Sequence, residues 1–225
     1  MITVNQQVAV RHPGASVGAV ALENIQGPGD DQALREAAGR INEELQARYG
    51  QLDRAGIKKS SPAAVYADYY RQFGQSYHLL GQLDSVLSGQ KPLTPGLSLP
   101  SAMFMAEIES LLLTAGHDLD RLELPLELVV TGEGQEYTGL SGRQNKAAAG
   151  DLGLADRRGL ISTIVKGPDQ RSRLTPETRR AVFTVYGPPG LPAELLNRHL
   201  DRLAEYVTLT AAGATVSWRG IYPAS

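Results

Sequence analysis

The chain has 225 residues, no cysteine and a formal net charge of −2 at pH 7. This length supports a substantial hydrophobic core, and the lack of cysteine excludes disulfide frameworks, thiolate metal sites and cysteine nucleophiles. No apolar run approaches the roughly 18 residues of a membrane-spanning helix. The first residues also lack the basic start and apolar stretch of a secretory signal. We therefore expect a soluble, cytoplasmic protein without membrane contact.

The beginning of the chain is predicted to form two strands and a helix. The apolar runs 8–10 and 17–22 flank the turn His12-Pro13-Gly14, which is typical of strands separated by a Gly/Pro turn. Asp30 or Asp31 can cap a helix that extends to Tyr49, with Gly50 as a left-handed stop. The helical spacing of its apolar residues predicts the buried stripe Leu34, Ala37, Ala38, Ile41, Leu45 and Tyr49.

Three further helices are predicted before residue 115. One begins at Ser61-Pro62, because proline at the first helical position loses no hydrogen bond, and ends near Phe73 before Gly74. A second covers 79–87 and ends at Gly89. Pro92, Pro95 and Pro100 mark an extended connector to a crowded apolar helix over 101–114.

The second half of the chain consists mainly of predicted strands. Their apolar or alternating runs cover 126–131, 135–140, 160–165, 181–186 and 215–218. Between the last two runs, 192–207 has the spacing of an amphipathic helix that lies on a sheet. Helices early, strands late and one packing helix near the C-terminus predict an α+β fold. We interpret residues 1–225 as a single domain.

Basic residues are concentrated between residues 157 and 180. This segment contains seven basic and two acidic residues and has a net charge of +5, whereas the remainder of the chain carries −7. A local basic surface attracts phosphate even on an acidic body. Solvated arginines beside a strand explain the same count, so both interpretations remain open.

The usual motifs of metal and nucleotide chemistry are missing from the sequence. The four histidines form no His-x-x-x-His pair, and Asp118 and Asp120 lack the remaining ligands of a calcium loop. Gly132-Glu133-Gly134 is too short for a dinucleotide fingerprint, and there is no Walker loop. We expect neither a metal ion nor a cofactor.

Two histidines lie in sequence contexts that could carry chemistry. His199 occupies the apolar face of a predicted helix, which favours a hydrogen-bonded core residue. His117 follows a predicted buried helix and precedes Asp118, which could orient the ring and raise its basicity. In the other interpretation Gly116 ends the helix, Asp118 caps the next turn and His117 is exposed.

An ordered series of short motifs gives the chain a family resemblance. The series runs from Tyr70 to Gly74, through 83–89 and Ser110-Leu111, to the stretch 116–122, Gly-His-Asp-Leu-Asp-Arg-Leu. It continues with the turn 132–137, Leu154-Ala155-Asp156, Leu174-Thr175-Pro176-Glu177-Thr178-Arg179-Arg180 and the strand 181–187. This order resembles the B3/B4 domain of the phenylalanyl-tRNA synthetase β subunit, and more closely stand-alone B3/B4 proteins. The resemblance covers roughly residues 66–207.

The resemblance implies an α+β fold with a mixed central sheet and a cleft that, in the synthetase, admits the misacylated end of tRNA for hydrolysis. By this resemblance the substrate-binding residues are Ser162, Thr163, Thr184 and Glu136. The polar residues of synthetase editing are not retained: Thr184 stands in place of a glutamate, and His117 is displaced from the family histidine. His117 and Thr184 are the remaining catalytic candidates.

Two hypotheses follow for the function. In the first, the chain is an RNA-associated protein that binds or deacylates misacylated aminoacyl-tRNA. The basic segment suggests its RNA contacts: Lys166, Arg171, Arg173, Arg179 and Arg180. In the second, the same cleft serves a non-catalytic module that binds a small molecule resembling an aromatic amino acid, or a protein partner.

Overall fold

A computed structural model describes residues 2–224 of the chain. Six of the seven α-helices in this range lie before residue 111. The helices are α1 (Gln6–Arg11), α2 (Asp31–Tyr49), α3 (Arg54–Lys58), α4 (Ala63–Gln72), α5 (Leu79–Leu87), α6 (Leu99–Ser110) and α7 (Ala193–Thr210). A short 3-10 helix, η1, covers Leu119–Arg121.

The strands form two main sheets and a hairpin. The strands are β1 (Ile2–Val4), β2 (Ser16–Glu23), β3 (Thr114–Asp118), β4 (Leu126–Val130), β5 (Glu136–Thr138), β6 (Gln144–Lys146), β7 (Leu152–Asp156), β8 (Gly159–Thr163), β9 (Gly167–Pro168), β10 (Ala181–Gly187) and β11 (Thr215–Pro223). The first sheet has the order β1-β4-β7-β8-β9, the second β11-β2-β10-β3, and β5 pairs with β6.

The α+β prediction is confirmed. The first sheet is mixed, because β1 runs parallel to β4 while the other neighbours are antiparallel. The second sheet is antiparallel throughout. Helices are concentrated in the N-terminal half and α7 is the one C-terminal packing helix of residues 2–224, as predicted.

The predicted helix ending at Tyr49 is confirmed as α2, and its buried residues are the six of the predicted stripe. Asp30 is the cap, and its side chain accepts a hydrogen bond from Ala33 N at 2.9 Å. The expected left-handed stop at Gly50 is wrong, because its φ is −61°. The stops after α4 and α5 are confirmed, since Gly74 and Gly89 have φ of +65° and +72°, values that glycine tolerates best.

The predicted strand 8–10 is wrong, because these residues belong to α1. Asn5 caps this helix through its side chain, which accepts from Gln7 N at 3.0 Å. Only Val8 of α1 is buried, and Val10 is 79% exposed. A three-residue apolar run carries too little periodicity to separate a strand from one helical turn, so the cap decided the outcome.

The predicted helix 101–114 is displaced at both ends. Helix α6 covers Leu99–Ser110 and ends where Leu111 adopts the left-handed conformation with φ of +55°. Residues 114–118 form β3, which pairs with β10 and is completely buried. His117 is therefore a core residue of a strand, and the expectation that it lies exposed after a helix is wrong. Asp118 does cap the next turn, accepting from Asp120 N at 3.1 Å.

Several elements differ in extent from the sequence prediction. β5 is shorter than the predicted 135–140 and β11 is longer than 215–218. β1, α3, β6 and β7 were not predicted at all. No helix within residues 2–224 is long and apolar enough to cross a membrane.

Helices cover both sheets. On the second sheet, α7 lies against β2, and it is joined to α6 by Arg202, whose Nε donates to Glu109 Oε1 at 2.9 Å. On the first sheet, α4 is held by Tyr70, whose hydroxyl donates to Ile164 O at 2.7 Å. The two sheets contact each other where Ser162 Oγ and Tyr186 Oη lie 2.6 Å apart.

Candidate functional site

A depression of about 700 Å³ lies beside η1, β5, the β7–β8 turn and the loop after β9. Four arginines line it, and we call it the arginine-lined depression: Arg121, Arg158, Arg171 and Arg173. Two carboxylate residues, Glu136 and Asp169, also line it. Of the residues predicted from the sequence, it thus brings together Glu136, Arg171 and Arg173.

Local turn chemistry places these arginines at the depression. In the β7–β8 turn, Asp156 Oδ1 accepts from Arg158 N at 2.9 Å, which directs the turn that carries Arg158. Arg121 ends η1, which begins at the Asp118 cap. Asp and Asn side chains commonly order turns by such hydrogen bonds to the backbone. Three separate segments therefore present guanidinium groups to one concave surface.

Arg171 forms the fixed floor of the depression. Its Nη1 and Nη2 donate to the two oxygens of Asp156 at 2.9 and 3.0 Å, and Nη1 also donates to Arg121 O at 2.8 Å. Its Nε lies 3.5 Å from Asp169 Oδ2. Burial alone would raise the pKa of Asp156, but hydrogen bonds from Glu123 N and from Arg171 lower it below the usual value. A bidentate pair of this kind is geometrically specific, so Arg171 is a structural cation.

The other three arginines are far less constrained. Arg121 Nε is 3.5 Å from Asp118 and Arg158 Nε is 3.8 Å from Glu123, and both guanidinium side chains are about half exposed. Exposed pairs at such distances contribute little free energy. Arg173 is exposed and forms no salt bridge with any residue between 2 and 224. Arg121 and Arg158 can exchange their carboxylate partners for an incoming anion, and Arg173 can meet one without losing a salt bridge.

A buried hydrogen-bond chain runs from the depression into the core. The hydroxyl of Ser172 donates to Asp169 Oδ1, and His117 Nδ1 lies 2.7 Å from the Ser172 oxygen. His117 therefore donates from Nδ1, which leaves Nε2 as an acceptor, and Nε2 has no hydrogen-bond partner among the described residues. Burial, aided by the charge of Arg171, lowers the pKa of His117 to about 3. His117 is a neutral core residue at physiological pH.

The residues that the family resemblance assigns to substrate binding lie mostly in the core. Ser162, Thr163 and Thr184 are at most 1% exposed. Ser162 bonds to Tyr186, Thr163 Oγ1 accepts from Lys166 N at 3.1 Å, and Thr184 Oγ1 donates to Ala115 O at 3.4 Å. Their hydroxyl groups are thus used inside the protein and do not line the arginine-lined depression. Glu136 is separate from them: it is exposed on strand β5 and pairs with Lys146 at 3.8 Å.

The remaining basic residues predicted to contact RNA are distributed over other surfaces. Arg180 bridges Glu23 and Asp120, with distances of 3.1 and 2.8 Å. Arg179 lines a different groove, of about 420 Å³, and donates to Pro176 O and Thr178 O. Lys166 is exposed but does not line the depression. A run of basic residues in sequence therefore does not form one patch in space.

Sequence reasoning missed Arg121 and Arg158 as site residues. Both were visible: Arg121 ends the 116–122 motif, and Arg158 lies inside the basic segment. An aspartate precedes each arginine, Asp118 by three residues before Arg121 and Asp156 by two before Arg158. An aspartate at this spacing orders a turn, so it could have indicated that both arginines are held in turns. Which turns meet at one depression depends on the pairing of β7 with β4 and β8 and cannot be read from the turns alone.

No group of three or more His, Asp or Glu side chains that could hold a metal ion is present in residues 2–224. The carboxylates closest to the depression floor, Asp156 and Asp169, are instead engaged by Arg171. Asp156 accepts two hydrogen bonds from Arg171, and Asp169 lies within ion-pair distance of the same guanidinium group.

Comparison with known proteins finds similarity among solved structures. No family model and no curated protein matches the chain. Among solved structures, an N-terminal fragment of the phenylalanyl-tRNA synthetase β subunit from Pyrococcus horikoshii matches with a TM-score of 0.49 and 9% identity. The match covers 98% of this chain and 53% of the fragment, so the chain spans about half of the fragment's length.

Proposed function

We propose that this protein is an RNA-associated domain that binds a phosphate-bearing segment of tRNA or aminoacyl-tRNA at the arginine-lined depression. The observation that carries this proposal is the convergence of Arg121, Arg158, Arg171 and Arg173 from three segments on one concave surface. Arginine suits this role because its planar fork of donors matches phosphate oxygens. Most protein contacts that position a nucleic acid go to its phosphates and sugars.

The two classes of arginine in the depression have different roles in the proposal. Arg171, fixed by Asp156, orders the loop that carries Arg173 and maintains the shape of the floor. Arg121, Arg158 and Arg173 provide the mobile charges that meet phosphate. Glu136 and Asp169 supply acceptors at the same surface, which suits ribose hydroxyl groups beside the phosphates.

Binding rather than hydrolysis is proposed, because both catalytic candidates are inaccessible. His117 and Thr184 are 0% exposed, and a general base must come within about 3 Å of the proton that it removes. The alternative of a small-molecule ligand held by Ser162, Thr163 and Thr184 has no comparable support, since their hydroxyl groups already bond within the core.

The test compares two neighbouring arginines of the same turn. Arg158 lines the depression, whereas the adjacent Arg157, which is also exposed, does not. Arg158→Ala should bind tRNA more weakly than the wild type in fluorescence anisotropy, and the double variant Arg158→Ala/Arg173→Ala should bind at least about tenfold more weakly. For the double variant, the slope of log affinity against log salt concentration should also be shallower by about 1 for each phosphate that the missing guanidinium groups would neutralise.

The control variant Arg157→Ala should retain nearly the full affinity and salt dependence of the wild type. The proposal is rejected if the wild type shows no salt-dependent binding of tRNA. It is also rejected if Arg157→Ala weakens binding as much as Arg158→Ala does, because the effect would then reflect net charge and not the depression.

A further inference from the structure

A second cationic cavity lies on another part of the molecule, where α3, α4 and the loop before α5 meet. This recess has a volume of about 500 Å³, and we call it the cationic recess. Arg54 and Lys58 of α3 and Arg71 of α4 line it. It shares no residue with the arginine-lined depression, and no Asp or Glu is among its described lining residues.

The three cations of the recess keep most of their binding capacity. Arg54 Nε is 3.4 Å from Asp84, and Arg71 pairs with Asp68 one turn earlier on α4. These four side chains are 35–66% exposed, so their ion pairs contribute little and leave further guanidinium donors free. Lys58 is exposed and forms no salt bridge with residues 2–224.

The loop before α5 adds polar donors to the same recess. Gln75, Ser76 and Tyr77 line it, and the backbone N–H groups of Ser76 and Tyr77 have no acceptor in the described part of the chain. Helix α5 starts without a side-chain cap. One terminal nitrogen of Arg54 lies 3.9 Å from the position of a Cβ on Gly81, so this guanidinium group sits beside the first turn of α5.

We propose that the cationic recess binds a small phosphate-bearing molecule, either inorganic phosphate or a small phosphomonoester. Three cations, a serine hydroxyl and backbone N–H groups are the donors that a phosphate dianion requires. The volume is within the range of small-molecule pockets, and the apolar floor formed by Tyr77 and Leu80 can contact an organic substituent. The absence of lining carboxylates separates this recess from the depression, where Glu136 and Asp169 alternate with arginines.

The test is a titration of the full chain with inorganic phosphate and with glycerol 3-phosphate at constant ionic strength. Backbone amide resonances of Gln75, Ser76 and Tyr77 should shift and saturate. Lys58→Met should weaken binding at least about tenfold, whereas Lys59→Met should not, because the adjacent Lys59, which is also exposed, does not line the recess. Tighter binding of the ester than of phosphate would identify a phosphomonoester as the ligand, and equal affinity would identify the free anion.

Three outcomes overturn the inference. The amide shifts of the wild type could fail to saturate, both lysine variants could lose affinity equally, or Lys58→Met could weaken tRNA binding along with phosphate binding. The last result would make the recess part of an RNA surface. The titration of the wild type does not depend on whether any variant folds. The Arg158→Ala/Arg173→Ala experiment measures tRNA binding at a different surface, so the two proposals can fail independently.

Discussion

Glu107 shows at the scale of a single residue how much the interior of this protein constrains ionisation. It lies on α6 and is 7% exposed, and its Oε1 accepts from Thr114 N at 2.7 Å. Burial raises the pKa of Glu107 to about 8 from an ordinary 4.5. The carboxyl group therefore keeps its proton in the folded protein at a pH where the unfolded chain loses it.

Replacing Glu107 with glutamine should make the protein more stable at high pH. The raised pKa means that the folded state holds the proton between about pH 4.5 and 8, so the contribution of Glu107 to stability falls as pH rises through this window. Each pH unit costs at most about 1.4 kcal/mol. Glutamine does not titrate and retains the oxygen that accepts from Thr114 N.

Chemical denaturation at pH 5 and pH 8 measures this effect. The gain in free energy of unfolding of Glu107→Gln over the wild type should be larger at pH 8 than at pH 5. The exposed Glu194→Gln on α7 is the control and should show no comparable difference. A gain independent of pH would contradict the assignment of a neutral Glu107.

At the scale of the element, α4 is fastened to the sheets by tyrosine hydroxyl groups. Tyr66 donates to Tyr186 O, Tyr70 donates to Ile164 O at 2.7 Å, and Tyr69 donates to Asp151 Oδ1 at 2.7 Å. Tyr69 also accepts from Leu152 N at 2.6 Å. These bonds convert an amphipathic helix into one with a fixed position above β7 and β8.

Tyr69→Phe should destabilise the protein more than Tyr70→Phe. Loss of the Tyr70 hydroxyl leaves one buried carbonyl without its donor, which costs about 1–3 kcal/mol. Loss of the Tyr69 hydroxyl leaves both a carboxylate oxygen of Asp151 and Leu152 N without a partner. The two variants remove the same atom from neighbouring positions on one helix, so their difference in free energy of unfolding isolates the second bond. Equal losses would show that the Leu152 N–H finds another acceptor.

At the scale of the whole molecule, two buried histidines make folding sensitive to acid. His199 lies 2.8 Å from Ser110 Oγ through Nδ1 and 2.7 Å from Thr114 Oγ1 through Nε2, between α6, α7 and β3. Burial lowers the pKa of His199 to about 4 and that of His117 to about 3. Both rings are neutral in the folded protein and become charged only when the structure opens.

The two histidines should each lower the free energy of unfolding as pH decreases from about 6.5 towards 4. In this window the unfolded chain binds a proton on each histidine that the folded protein excludes, so stability is lost as pH falls. His117→Leu should gain free energy of unfolding relative to the wild type as pH falls from 7 to 5, because one of the two sites is removed together with the unpartnered Nε2. Denaturant unfolding at pH 7 and pH 5 checks this, and an unchanged difference between the two pH values would refute it.

Periodic and capping signals in the sequence predicted much of the fold. The stripe of α2 and the cap at Asp30 are local features, because helical spacing and a side-chain-to-backbone bond need no distant partner. Short runs were ambiguous for the same reason. Residues 8–10 were predicted as a strand and form part of α1, which Asn5 caps. Thr114 was predicted as the end of a helix and begins β3, which pairs with β10.

The candidate site was less predictable than the fold. Arg171, Arg173 and Glu136 were chosen from the sequence and do line the depression, while Arg121 and Arg158 were missed. Thr163 and Thr184 were chosen by family position, but the structure places both in the core. Whether a hydroxyl group faces a cavity or a neighbouring carbonyl depends on register between strands distant in sequence.

Composition and periodicity alone determined that this chain forms an α+β protein with its helices early and its strands late, because those patterns depend on near neighbours along the chain. Tertiary structure alone decided which charges act together. It locked Arg171 onto Asp156, paired Arg180 with Glu23 and Asp120, and left Arg121, Arg158 and Arg173 around one depression. The physical reason is that electrostatic energy depends on distance through space and on burial, and neither is encoded in the spacing of charges along the sequence.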